Sequence, residues 1–136
     1  MSRFTTVAVL TLALALPLRQ AAAHPRLVSS TPASGGHIAA APVELTLTFN
    51  ENITLALSKL TLLNAAQKPV LLDTLHSHAS DAKTLMAKTA TPLTAGRYTV
   101  KWQAAGSDGH PMRGEFSFVV DAPVASPTSK TPAIRK

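Results

Sequence analysis

The sequence predicts an all-β fold, a sandwich of two sheets or a small barrel of about seven short strands. Three observations carry that expectation. Apolar and polar residues alternate with a period of two in several separate segments. Clusters rich in Gly, Pro, Ser and Asn divide those segments at short intervals. Beyond the N-terminal leader, no stretch of useful length repeats with the period of a helix.

In chain order, Arg26 to Ser29 reads as a short first strand, and Thr31-Pro32-Ala33-Ser34-Gly35-Gly36 as a loop. Val43, Leu45, Leu47 and Phe49 then alternate with Glu44, Thr46, Thr48 and Asn50, the pattern of a strand with one buried face. Ile53 to Leu57 fits strand or helix equally well, because the apolar run is short. Weaker strands are expected at Ser58 to Leu63, Val70 to Leu75 and Thr84 to Lys88. Turns are expected at Asn64 to Pro69, Ser77 to Asp81 and Thr91 to Gly96. Tyr98, Val100 and Trp102 alternate with Thr99, Lys101 and Gln103. Phe116, Phe118 and Val120 alternate with Glu115 and Ser117, although Val119 interrupts the polar face.

Met1 to Ala23 has the three parts of an export signal. Arg3 supplies the positive start. Val7 to Leu16 is apolar except for Thr11, Pro17 ends the run, and Ala21-Ala22-Ala23 offers the small residues a signal peptidase reads. The Ala21/Ala23 pair favours cleavage after Ala23 over cleavage after Ala22. The alternative, an uncleaved anchor, needs about 20 apolar residues to span a membrane, and this run is shorter. Cleavage after Ala23 would leave 113 of the 136 residues, enough for one small soluble exported domain.

Residues 24–122 are that domain. From 123 to 136, Pro123, Pro127 and Pro132 lie among Ala, Ser, Thr and Lys, with too little apolar mass to pack, so a disordered tail is expected. The chain carries 13 Lys and Arg against 7 Asp and Glu, a net charge of +6. Within residues 24–122 the counts are 8 and 7, so the excess belongs to the leader and the tail. A nucleic-acid binder would show a basic patch on the folded part, which argues against that class. The chain has no cysteine, which removes disulfides and thiolate ligands alike.

The residue with the most chemistry is His24. If cleavage makes it the first residue, it offers a metal two nitrogens, the free α-amine and the ring Nδ1. Pro25 has no backbone N–H to lose, so binding through successive deprotonated amides is blocked. A second candidate is Ser107-Asp108-Gly109-His110, expected in a loop between the last two strands. Asp108 and His110 are two apart, so both side chains can leave an extended segment on one side. Gly109 between them permits backbone angles other residues resist. Three nitrogens and one carboxylate in a tetragonal plane suit Cu(II), or less well Ni(II), whereas zinc prefers a tetrahedron. The competing reading of Asp108-Gly109 is an ordinary turn with an exposed histidine after it.

Several of these segments together resemble the CopC family of periplasmic copper-binding, copper-resistance proteins. They are His24-Pro25-Arg26-Leu27, Ser30-Thr31-Pro32-Ala33 and Leu47-Thr48-Phe49-Asn50-Glu51, then Gly96-Arg97-Tyr98 with Val100 and Trp102. The most diagnostic is Ser107-Asp108-Gly109-His110-Pro111 followed by Gly114 and Phe116 to Val120. The resemblance implies a small Greek-key β-sandwich or barrel, immunoglobulin-like or cupredoxin-like, that holds one Cu(II) ion. It implies that His24 gives amine and ring nitrogen, His110 a second imidazole and Asp108 a carboxylate. Glu51 matches an acid beside the amine, able to orient it by a hydrogen bond; on residue type alone it equally fits a strand-end surface acid. A CopD-type membrane copper transporter is the implied partner, and a monomer the expected state.

Some family members have a second, Cu(I) site in a methionine-rich loop. Here only Met86 and Met112 follow the leader, far apart in sequence, so no site of that kind is expected. His76-Ser77-His78 reads as an exposed pair at a strand end, with a weak second metal site as its alternative. His37 has no partner in view. The leading function is a non-enzymatic copper carrier. One rival is a copper oxidase with a histidine brace, acting on polysaccharides. It would need an open aromatic face, but Tyr98 and Trp102 fall on an apparently buried one. The other rival is a metal-free structural sandwich domain.

Overall fold

The computed structural model describes residues 24–39 and 44–123. The expected leader, Val43 and the expected tail beyond Pro123 lie outside the described residues. The described residues form a β-sandwich of nine strands. In order these are β1 (Leu27–Thr31), β2 (His37–Ile38), β3 (Glu44–Phe49), β4 (Lys59–Leu63), β5 (Pro69–Val70), β6 (His76–His78), β7 (Asp81–Lys88), β8 (Gly96–Ala105) and β9 (Pro111–Val120). One sheet has the order β1-β3-β7-β6 and the other β2-β9-β8-β4-β5. Every pairing is antiparallel except β2 with β9. Among the described residues no helix is long and apolar enough to cross a membrane.

The alternation in the sequence becomes the core. Leu45, Leu47 and Phe49 of β3 face Tyr98, Val100 and Ala104 of β8 and Phe116, Phe118 and Val120 of β9, all buried. Each large apolar side chain so buried contributes about 1.5–3 kcal/mol. Tyr98 keeps its hydroxyl satisfied by donating to the Thr94 carbonyl at 2.9 Å, while its ring stacks on Phe118. Trp102 stands edge-on to Phe49, centroids 5.2 Å apart, and lies across Gly114 of β9.

The strand count exceeds the expected seven for two physical reasons. The segment read as one strand, Val70 to Leu75, changes sheets. Pro69–Val70 pairs with β4, Leu72 makes an isolated bridge to Thr89, and His76–His78 pairs with β7. A turn was expected from Ser77, but the pairing with β7 runs on to His78. The other addition is β2, too short to produce a period. Gly35, with φ of +73°, turns the chain so that its N–H donates to the Ser117 carbonyl and His37–Ile38 lies along β9. The ambiguous run at Ile53 to Leu57 is neither strand nor α-helix; it ends in a single 3-10 turn at Leu55–Leu57.

Candidate metal centre

Three segments meet at one end of the sandwich: the chain entering β1, the chain leaving β3, and the loop between β8 and β9. The entering segment is clamped at Arg26. Its N–H donates to Asn50 Oδ1 at 2.6 Å, and its carbonyl accepts from the Asn50 N–H at 3.1 Å. Pro25, one residue earlier, is fully buried. His24 is thus carried on a seated proline and a two-bond clamp, although its own ring is half exposed. The chain after β3 is tied to β7 and to the end of β8 where the loop begins. Ile53 N–H donates to the Ala82 carbonyl at the start of β7, and Thr54 donates to the carbonyls of Ala105 and Gly106.

The β8–β9 loop turns on Gly109, whose φ is +75° and whose N–H donates to the Gly106 carbonyl at 3.1 Å. Gly109 uses the backbone freedom expected of it, but Ser107 and Asp108 form a turn rather than the extended segment expected across Asp108 and His110. Asp108 folds back on the loop, and its Oδ1 accepts the His110 N–H at 3.1 Å. Its Oδ2 lies 3.2 Å from His110 Nδ1 and 3.7 Å from His24 Nδ1. His24, Asp108 and His110, distant in sequence, are therefore brought together.

The Asp108 carboxyl is held below its ordinary value, chiefly by the His110 backbone N–H. Partial desolvation opposes this, and the side chains of His110 and His24 add to the lowering. Asp108 is thus an anion at neutral pH, as a ligand must be.

These separations can be set beside those a bound ion imposes. Donors bound at about 2.0 Å to one ion stand roughly 3 Å apart when adjacent. The two edges meeting at Asp108 Oδ2 are near that length. The rings are 6.4 Å apart centre to centre, and among the described residues no three His, Cys, Asp or Glu side chains are grouped closely enough to hold a metal ion as they stand. Closure on an ion would take side-chain rotation.

Glu51 follows Asn50 in the chain leaving β3. Its Oε1 is buried with no hydrogen-bond partner. A buried acceptor without a donor is costly. The other histidines stand apart. His76 and His78 lie on β6, and His37 Nδ1 is 2.8 Å from Asp121 Oδ1, a partner 84 residues away that no local pattern revealed. Met86 and Met112 fall on different sheets. Tyr98 is buried and Trp102 packs against the core, so neither ring offers an open platform. Asn50 was missed by sequence reasoning, because nothing local marks an asparagine whose partner is 24 residues away.

A family model described as the CopC domain matches residues 27–121, a span that contains Glu51, Asp108 and His110 and stops short of His24. A protein named copper resistance protein C from Pseudomonas syringae pv. tomato is 42% identical over 105 residues, covering 74% of this chain and 82% of that protein. Its namesake from Escherichia coli is 36% identical over 106 residues, covering 74% and 83%. The crystal structure of CopC from Methylosinus trichosporium OB3b superposes with a TM-score of 0.69 at 29% identity, covering 76% of this chain and 99% of that one. The structure of PcoC from E. coli, titled a methionine-rich copper resistance protein, gives 0.66 at 35% identity, covering 73% and 100%.

Proposed function

The chain belongs to the CopC family, and from that premise we propose that it is a periplasmic copper carrier holding one Cu(II) ion at the end of the sandwich. The observation that carries this is the meeting of two imidazole nitrogens at a single oxygen of Asp108. In the exported chain, cut after Ala23, His24 supplies its α-amine and Nδ1, His110 an imidazole, and Asp108 a carboxylate. Four donors of this kind satisfy the tetragonal preference of Cu(II). The buried oxygen of Glu51 takes a hydrogen bond from the new amine and orients it. Glu51 thereby acts on the ligand rather than on the metal.

Such a centre stores or hands over copper and performs no turnover. Its role is resistance, by sequestering the ion or delivering it to a CopD-type membrane transporter, and the carrier acts as a monomer. The relatives from P. syringae and E. coli are named for copper resistance.

The deciding experiment compares the chain beginning at His24 with one bearing a single extra residue before it. Cu(II) is titrated into each under competition, with EPR. The extension turns the amine into an amide, so affinity falls by orders of magnitude and the spectrum loses a nitrogen donor. An unchanged affinity and spectrum would overturn the N-terminal centre. His110→Ala and Asp108→Ala then apportion the remaining ligands.

A further inference from the structure

Outside that centre, β6 carries two histidines that the proposed function leaves unused. The strand lies at the edge of the four-stranded sheet. Along it exposure alternates: His76 exposed, Ser77 half-buried, His78 exposed. The two rings therefore leave the strand on the same side. His76 is paired directly with Met86 of β7. Directly opposed residues share a face, with Cβ atoms about 5 Å apart. That face is the outer one, because Leu85 and Ala87 on either side of Met86 point into the core. The register shift after Ser77 sets His78 opposite Asp81 at the hairpin end. The Asp81 oxygens already accept from the Lys83 N–H and the Thr84 hydroxyl, and His76, His78 and Met86 are the neutral donors beside them.

We propose that His76, Met86 and His78 form a second copper site, one that takes Cu(I). A thioether is a soft donor, and with imidazoles it selects copper over calcium, magnesium or manganese. All three donors are neutral when His is unprotonated, which suits the lower charge of Cu(I). The first centre differs, since it includes the anionic carboxylate of Asp108.

The orientation of His76 supports the assignment. His76 Nδ1 is 3.0 Å from the Thr74 carbonyl. A carbonyl can only accept, so the neutral ring keeps its proton on Nδ1 and presents the Nε2 lone pair outward. Metal-binding imidazoles are commonly fixed in this way. His78 Nδ1 faces the Ser80 hydroxyl at 3.1 Å and the Ser80 amide at a longer 3.4 Å. The hydroxyl can turn to accept from Nδ1–H, freeing Nε2 here too. Giving up the long amide contact makes His78 the weaker of the two nitrogen donors.

The test is an anaerobic titration of Cu(I) against a chromophoric Cu(I) chelator, together with X-ray absorption at the copper edge. The background is the chain beginning at residue 24 with His24→Ala, which disables the first centre and leaves β6 intact. That protein should still bind one Cu(I), with a sulfur neighbour in the absorption spectrum. Met86→Leu, a near-isosteric change, should remove the sulfur signal and weaken Cu(I) binding by on the order of 10-fold. His76→Gln with His78→Gln should weaken it by on the order of 100-fold. Met112→Leu should change nothing. The site is refuted if no sulfur neighbour is seen, if the signal vanishes with Met112 instead, or if Cu(I) affinity is indifferent to Met86→Leu. Should the double histidine variant fail to fold by circular dichroism, Met86→Leu alone decides.

Discussion

Replacing Gly114 by alanine probes how closely β9 approaches the single tryptophan. A Cβ at this position would lie 2.4 Å from Trp102 Cζ2, 2.7 Å from Cε2 and 3.0 Å from Nε1. Carbon atoms in contact prefer about 3.5–4.0 Å, so the indole must retreat by about 1 Å. Little allows it to do so. Trp102 sits on β8, which is paired on both edges, and the Phe49 ring stands against it at 5.2 Å. Overpacking of this sort costs about 1–3 kcal/mol, and disturbing the edge-on aromatic pair adds up to about 1 kcal/mol. Alanine also narrows the unfolded ensemble, which offsets about 0.4–1 kcal/mol.

The net expectation for Gly114→Ala is a destabilisation of about 1–3 kcal/mol, a Tm lower by roughly 4–8 °C for each kcal/mol in a domain of this size. Urea unfolding followed by tryptophan fluorescence reads it directly, since the chain has one tryptophan. The cause is tested by a double-mutant cycle with Trp102→Leu, which removes the opposing ring and the only fluorophore of its kind, so all four proteins of the cycle are followed by circular dichroism. There Gly114→Ala should cost at least about 1 kcal/mol less. A neutral or stabilising Gly114→Ala, or strict additivity with Trp102→Leu, would refute the close approach.

Other expectations follow from single contacts. Asn50→Ala removes the acceptor for the Arg26 N–H and should cost about 0.5–1.5 kcal/mol. It should also weaken Cu(II) binding in a competition titration, and Asn50→Asp, which keeps the acceptor, should restore most of the loss. Tyr98→Phe deprives the Thr94 carbonyl of its donor and should lower the urea-derived stability by about 1–2 kcal/mol, with the fold unchanged by circular dichroism. Asp81 is held below its ordinary value by the Lys83 backbone N–H first and the Thr84 hydroxyl next. Its contribution is therefore full above the unfolded carboxyl value of about 3.9 and is lost as pH falls through the lower folded value. Urea midpoints measured from pH 6 down to pH 2 should drop below about pH 4, and Asp81→Asn should flatten part of that drop.

How much of this was legible beforehand differs between residues. Leu45, Leu47 and Phe49 could be read directly, because a half-buried strand writes its inner face into every second position. Gly109 was legible for the same kind of reason, since a left-handed turn next to an Asx fold needs a residue without Cβ. The strand at Val70 to Leu75 misled, because a segment that changes sheets still carries apolar residues yet has no single face to alternate about. β2 was silent, being two residues long and paired only through Val119 and Val120.

The sequence by itself determined the all-β class, the strands that build the core, and the residue types able to bind a metal. These are local properties, set by period, turn chemistry and donor identity. Only the tertiary structure decided that His24 and His110 stand over the same oxygen of Asp108. It alone showed that Asn50 clamps the entering chain, that Glu51 holds a buried oxygen without a donor, and that His76 faces Met86 across β6 and β7. Each of these depends on which strands become neighbours and in what register, and register is chosen by the packing of both sheets together rather than by any one segment.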